Sequence, residues 1–238
     1  MITTILTAYN RGYTLLEQID AIRNQTIKSE RIIVLYNKGT EPQIQIDMPD
    51  IDIMYLNFNT KFHGRFAISL LARTEYVAIF DDDTIPGNRW FETCISEMNK
   101  QPGIYGSVGV IMRGQCYNPH DKVGHNGMKS DQSTKVDLVG HSWFFKKMWA
   151  KYMWYEDPAS WDNGEDMQFS YLCQKYGNIN TYVSPYPKDD KSVWGSLKGE
   201  EYGNDDMASY KLNNHRSLRN DISKEYISRG WSIINGHK

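Results

Sequence analysis

Apolar residues in the first half of the chain fall in short runs separated by stretches with helical spacing, the alternation of βα units that build a mainly parallel sheet. Ile2 to Ala8 predicts a first strand, closed by the turn Tyr9-Asn10-Arg11-Gly12, after which Leu15, Leu16, Ile19 and Ile22 recur at helical intervals. Arg31 to Tyr36 predicts a second strand, ended by Asn37-Lys38-Gly39, and Ile51 to Phe58 a third. Gly64 to Arg73 places Phe66, Ala67, Leu70 and Leu71 on one helical face and leads into Val77-Ala78-Ile79-Phe80. That last run is apolar throughout, as in a strand covered on both faces.

Further on, the pattern predicts a helix over 90–100, a strand over 104–112 interrupted by glycines, and a strand over 136–145 followed by a short helix over 146–152. Glu165 to Tyr176 reads as a helix stopped by Gly177, and Ile179 to Val183 as the last strand. Arg113 to Thr134 has no apolar period, and a connection this long inside a compact domain predicts a functional or mobile loop. From Ser184 onward Pro, Gly, charged and aromatic residues mix, which reads as a cover and not as a second core.

Composition narrows the classes. At 238 residues the chain can bury a real core. Its formal charge of −2 gives no global attraction to nucleic acid or anionic membrane, so any such partner needs a local patch. Cys94, Cys116 and Cys173 lack CxxC spacing and suggest neither a disulfide framework nor a structural zinc site. No basic leader, long apolar stretch or cleavage site follows Met1, a pattern expected of a cytoplasmic protein without a membrane span. The oligomeric state is not legible.

The candidate chemistry centres on Asp81-Asp82-Asp83, which the apolar run delivers to one fixed place. Adjacent carboxylates repel unless a cation neutralises them, and hard divalent cations complete their oxygen shells with phosphate. The economical reading is a metal-diphosphate site at the carboxyl end of a strand, against the plainer alternative of a solvated acidic turn. In such a sheet the strand ends converge, which adds Thr7, Ala8, Tyr9, Arg11 and Asn37 as groups able to read a flat base, and Arg65 as one able to reach phosphates. A second acidic group, Asp162-Asn163-Gly164-Glu165-Asp166, precedes a helix. It is either an amino-terminal cap or the source of a base for an acceptor hydroxyl; Asp166 is the first candidate for that role and Glu165 the second.

Thr7-Ala8-Tyr9-Asn10-Arg11, Val34-Leu35-Tyr36-Asn37, Arg65, Phe80-Asp81-Asp82-Asp83-Thr84-Ile85, Gly140-His141-Ser142-Trp143-Phe144-Phe145 and Asn163-Gly164-Glu165-Asp166-Met167 occur in the order seen in GT-A glycosyltransferases. The chain most resembles the exostosin-like family, with family 2 close behind, over roughly residues 2 to 183. The resemblance implies an α/β GT-A fold: a mostly parallel central sheet flanked by helices, with a DxD pair at a strand end. It implies a catalytic domain over 1–183, with a nucleotide-sugar half (1–112) and an acceptor half (113–183), and an extension or lid over 184–238. It places Thr7, Ala8, Tyr9, Arg11 and Asn37 near the base and ribose of a UDP-sugar donor, and Arg65 near nucleotide or sugar. Asp82 would lie near hydroxyls of ribose or sugar. Asp81 and Asp83 would form the DxD pair around Mn²⁺ or Mg²⁺, with His215 as a candidate third ligand, and Asp166 would face sugar and acceptor. Gly164 and Glu165 depart from the family's usual Cys and Asp without removing a carboxylate. Exostosin-like enzymes retain and most family 2 enzymes invert the anomeric configuration, so stereochemistry stays open.

The resemblance implies a hydroxyl acceptor, on a glycan, protein, lipid or modified DNA base; the last would be the phage type of enzyme acting on a hydroxymethylated base. A nucleotidyltransferase is disfavoured, because Ala8 to Gly12 is too short and glycine-poor for its loop. A non-catalytic module is the remaining class, with Trp143, Trp149, Trp154, Trp161 and Trp194 holding carbohydrate or single-stranded nucleic acid beside Lys146, Lys147 and Lys151.

Overall fold

The computed structural model describes residues 1–40, 42–204, 209–211 and 213–236. The first strands are β1 (Ile2–Ala8), β2 (Arg31–Tyr36), β3 (Ile51–Tyr55) and β4 (Tyr76–Phe80), interleaved with helices α1 (Gly12–Arg23) and α2 (Gly64–Ser69). They lie in the order β3-β2-β1-β4 and are all parallel, so their carboxyl ends share one rim. Every residue of β1 and β4 is buried, which is what an unbroken apolar run predicts for a strand covered on both faces.

Helix α3 (Trp90–Lys100) follows the acidic turn, and the predicted 104–112 strand divides at Ser107 into β5 (Gly103–Gly106) and β6 (Val108–Met112). These belong to different sheets. β5 continues the large sheet, whereas β6 pairs with β7 (His120–Gly124) and β9 (Leu138–Gly140) in a three-stranded one. The stretch expected to be one loop over 113–134 therefore contains β7, whose polar sequence His-Asp-Lys hid it. The predicted 136–145 strand likewise becomes β8 (Thr134–Val136), β9 and β10 (Ser142–Lys146).

β10 runs antiparallel to β4 and extends the large sheet through β5 and β11 (Asn180–Val183) to β8. Phe144 stands opposite Ala78 in that register, a large ring against a small residue, and packs with Trp90 and Phe91 in the main core. A 3₁₀ segment, Lys147–Trp154, leads towards α4 (Glu165–Gly177).

The tail departs from expectation. After α5 (Gly199–Tyr202) it forms α6 (His215–Ser228), whose Ile222 and Tyr226, with Trp231 and Ile233, pack on Met167, Tyr171 and Leu172 of α4 in a second apolar cluster. Isolated apolar residues three or four apart in a charged segment suffice to bury one helical stripe. α2 also differs from its predicted face: Leu70 and Leu71 are exposed beyond its end, Ala67 faces outward, and Arg65, Phe66 and Ser69 are buried. Trp143, Trp149 and Trp194 are interior residues, so the proposed tryptophan face reduces to exposed Trp161 and half-buried Trp154. Among the described residues no helix is long and apolar enough to cross a membrane.

Candidate active site

Strand pairing places the first aspartate. The Asp81 amide donates to the carbonyl of His141 at 2.9 Å, one step past the last paired residues of β4 and β10. Gln18 of α1 lies wholly inside and donates through Nε2 to the carbonyls of Asp81 (2.7 Å) and Thr84 (2.8 Å), while the Thr14 hydroxyl donates to the carbonyl of Asp82 at 2.6 Å. The acidic turn is thereby held to α1 by its own backbone. Its side chains are free to face the rim.

The rim collects the other predicted nucleotide-side residues. Ala8 and Tyr36 are register partners at the ends of β1 and β2, and the Asn37 amide donates to the Ala8 carbonyl at 2.9 Å. Asn37 is buried and its Oδ1 accepts from the Thr60 amide and hydroxyl, so it anchors the approach to α2. Thr7 donates to the Phe80 carbonyl at 3.2 Å, and Tyr9 is half-buried beside the turn that starts α1.

Each carboxylate of the acidic turn and of the Glu165-Asp166 pair has a guanidinium. Arg11 approaches Asp82 at 2.8 Å and Asp83 at 3.5 Å. Arg65 forks between Asp81 and Glu165, meeting Glu165 at 2.8 Å, with its charge 4.5 Å from the centre of the Trp143 ring. Arg219 of α6 holds Asp166 at 2.7 Å and Asn163 at 2.8 Å and lies 4.1 Å from the centre of the Tyr117 ring. Charges taken out of water need such partners, because an unpaired buried ion is very costly. Arg65 is what physically connects the acidic turn of β4 to the carboxylate pair of α4.

Gly164 allows that pair to turn inward. It has φ +87°, and a β-carbon there would come 2.8 Å from Ile222 of α6. Burial pushes the Glu165 carboxyl up to about 7, helped by the charge of Asp166 and opposed by Arg65. Burial likewise raises Asp82 to about 7 against the pull of Arg11. His63, buried and tilted against Trp161 with ring centres 5.0 Å apart, is held down to about 4 by burial and by the Arg65 charge, which keeps it neutral at pH 7.

The tail crosses the acidic turn. The Gly87 amide donates to the Trp194 carbonyl and the Leu197 amide to the Ile85 carbonyl, both at 2.8 Å. Lys198 and Tyr202 meet Glu17 of α1, and a β-carbon on Gly203 would stand 3.0 Å from Asp83 Oδ2. Among the described residues no three His, Cys, Asp or Glu side chains converge as a cation cluster. His215 opens α6, four positions before Arg219, and is half-buried. Sequence reasoning missed Arg219 and Gln18. The available signal was an arginine on the same helical stripe as Ile222 and Tyr226, and a glutamine on that of Leu15, Ile19 and Ile22.

The sequence profile of glycosyl transferase family 2 matches residues 3–154, well over half of the chain. No curated protein matches. A structure of TarS from S. aureus superposes with a TM-score of 0.53 at 16% identity, covering 77% of this chain and 60% of that one. GalNAc-T7, solved with UDP, GalNAc and Mn²⁺, superposes with a TM-score of 0.63 at 9% identity, covering 78% of this chain and 42% of its own. At such identities the likeness is one of fold, and the chain spans less than two thirds of each neighbour's length.

Proposed function

The chain belongs to glycosyl transferase family 2, with the GT-A fold, and we propose that it transfers a sugar from a nucleoside diphosphate, UDP being the first candidate, to a hydroxyl acceptor with the help of a divalent cation. One observation supports this reading: a buried strand ends in three carboxylates, and Arg65 bridges the first of them, Asp81, to Glu165 of a second carboxylate pair. In this reading the three aspartates are the donor-side cation site and the second pair supplies the acceptor-side base.

The residues present fit a hard cation. Asp82 and Asp83 share a single guanidinium, and the carboxyl of Asp82 is pushed upward, so added positive charge beside them is favourable. Asp83 would hold Mn²⁺ or Mg²⁺ directly, with Asp81 as the other carboxylate of the DxD pair, turned to Arg65; the chemistry such an ion would supply is to neutralise charge on the departing diphosphate. Thr7, Ala8, Tyr9 and Asn37 line the rim where the base and ribose would bind, with Arg11 and Arg65 beside the phosphates. Asp166, oriented by Arg219, accepts the proton of the acceptor hydroxyl as its oxygen bonds to the anomeric carbon and the bond to diphosphate breaks, with Glu165 beside it. In this reading the tail over 194–203 shields the diphosphate from water.

The test is a panel of UDP-, GDP- and TDP-sugars with Mn²⁺, read by thermal stabilisation and donor hydrolysis. Stabilisation by one donor that is lost in Asp83→Ala supports the reading; no response to any of them overturns it.

A further inference from the structure

The motif Gly140-His141-Ser142 contains a side chain with no task in the reading above. His141 joins β9 to β10, and its backbone already pairs with Asp81. Its φ is +65°, in the left-handed region where a residue other than glycine costs of order 1 kcal/mol. Gly140 has no such need, since its φ lies outside that region and an added β-carbon would meet nothing within 4 Å. The chain thus has a histidine where glycine would be relaxed and a glycine where most residues would fit. A strained residue beside a catalytic turn points to a use for its side chain.

The strained turn aims the imidazole at the acidic turn. Nδ1 of His141 lies 4.0 Å from Oδ1 of Asp83, too far for a hydrogen bond. That nitrogen is itself buried and has no hydrogen-bond partner among the described residues. Asp83 presents its two oxygens differently: Oδ2 faces Arg11 at 3.5 Å, while Oδ1, accepting from the Thr84 hydroxyl at 3.1 Å, faces the imidazole. Two donors that each sit about 2.1 Å from one first-row divalent ion stand roughly 3 to 4 Å apart. The His141–Asp83 separation suits a pair of ligands better than it suits an ion pair.

We infer that His141 and Asp83 are the protein's two ligands for the cation of the donor complex. This rests on the proposed metal-dependent transfer and assigns the histidine ligand to the β9–β10 junction in place of His215. Two consequences follow from the donor set. An imidazole ligand favours softer first-row ions, so Mn²⁺ is preferred to Mg²⁺. With only two protein ligands the shell is completed by diphosphate oxygens, so Mn²⁺ binds weakly alone and more tightly with UDP.

Electron spin-echo modulation of Mn²⁺ bound to the full chain with UDP tests the assignment directly. The expected result is ¹⁴N modulation from a coordinated imidazole, absent in both His141→Gly, which relaxes the backbone, and His141→Gln, which keeps bulk. Titration calorimetry with UDP present should show Mn²⁺ affinity falling at least about tenfold in both variants, with Mg²⁺ affected less. Mn²⁺ that binds with UDP and is lost in Asp83→Ala, yet shows no ¹⁴N modulation, overturns the role of His141 and leaves the transferase reading standing. Modulation that survives His141→Gly and vanishes in His215→Ala does the same in favour of the carboxyl-terminal histidine. Failure of Mn²⁺ to bind at all in the presence of UDP overturns both.

Discussion

Replacing Arg219 with methionine removes a guanidinium that is buried between Asp166, Asn163 and the Tyr117 ring. The remaining Asp166 is also buried, with Glu165 next to it, so the variant leaves a carboxylate without its compensating charge in a site that water does not reach freely. Breaking one side of a buried pair costs about 3–5 kcal/mol. That is a large fraction of the total stability of about 5–15 kcal/mol expected of a domain. Urea unfolding followed by tryptophan fluorescence should therefore show a clear fall in midpoint. The loss should be largely recovered in Arg219→Met combined with Asp166→Leu, because an apolar pair replaces an ionic one at little net cost. Arg219→Lys keeps the charge but cannot reach both Asp166 and Asn163, and an intermediate loss of about 1–2 kcal/mol is expected. If Arg219→Met costs under about 1 kcal/mol, then α6 does not deliver a buried cation to Asp166, and the account of how that carboxylate is held is wrong.

Asp166→Asn is expected to keep donor binding by calorimetry and lose about 10²–10⁴-fold in transfer rate; normal turnover would remove Asp166 from the chemistry. Gly164→Ala should cost about 2 kcal/mol in thermal unfolding, from the left-handed φ and the encounter with Ile222, and an unchanged melting temperature would contradict the α4–α6 packing described here. Glu165 prefers its proton in the folded state, so its contribution to stability is present below its ordinary value of 4.5 and is lost as pH rises to about 7. Wild type should lose stability relative to Glu165→Gln across that window, and a flat difference would refute the shift. His63 runs the other way: buried and neutral, it supports the fold above pH 6.5 and withdraws that support as pH falls towards 4, a trend His63→Gln should flatten.

That β1 to β4 form a parallel sheet was legible from the alternation of βα units, and the place of the acidic turn because a doubly covered strand is apolar at every position, as Val77-Ala78-Ile79-Phe80 is; the strand order was not. The helix after Glu165 was legible by the same local logic. Where local pattern misled, two elements met without a break in polarity: at Ser107 the chain changes sheets within one apolar run, and β7 is polar enough to pass for loop. α6 lay in the tail read as a cover because only a narrow stripe of it is apolar.

Periodicity in a sequence reports burial over a few neighbouring residues, and that was enough to determine the βα architecture, the triple aspartate at a strand end and the carboxylate pair at a helix start. It carries no record of partners far along the chain. Arg65 reaches Glu165 across 100 positions, and Arg219 reaches Asp166 across 53. Which guanidinium neutralises which carboxylate, and that His141 rather than another imidazole faces Asp83, were decided only when the strands had aligned and brought those side chains within a few ångströms.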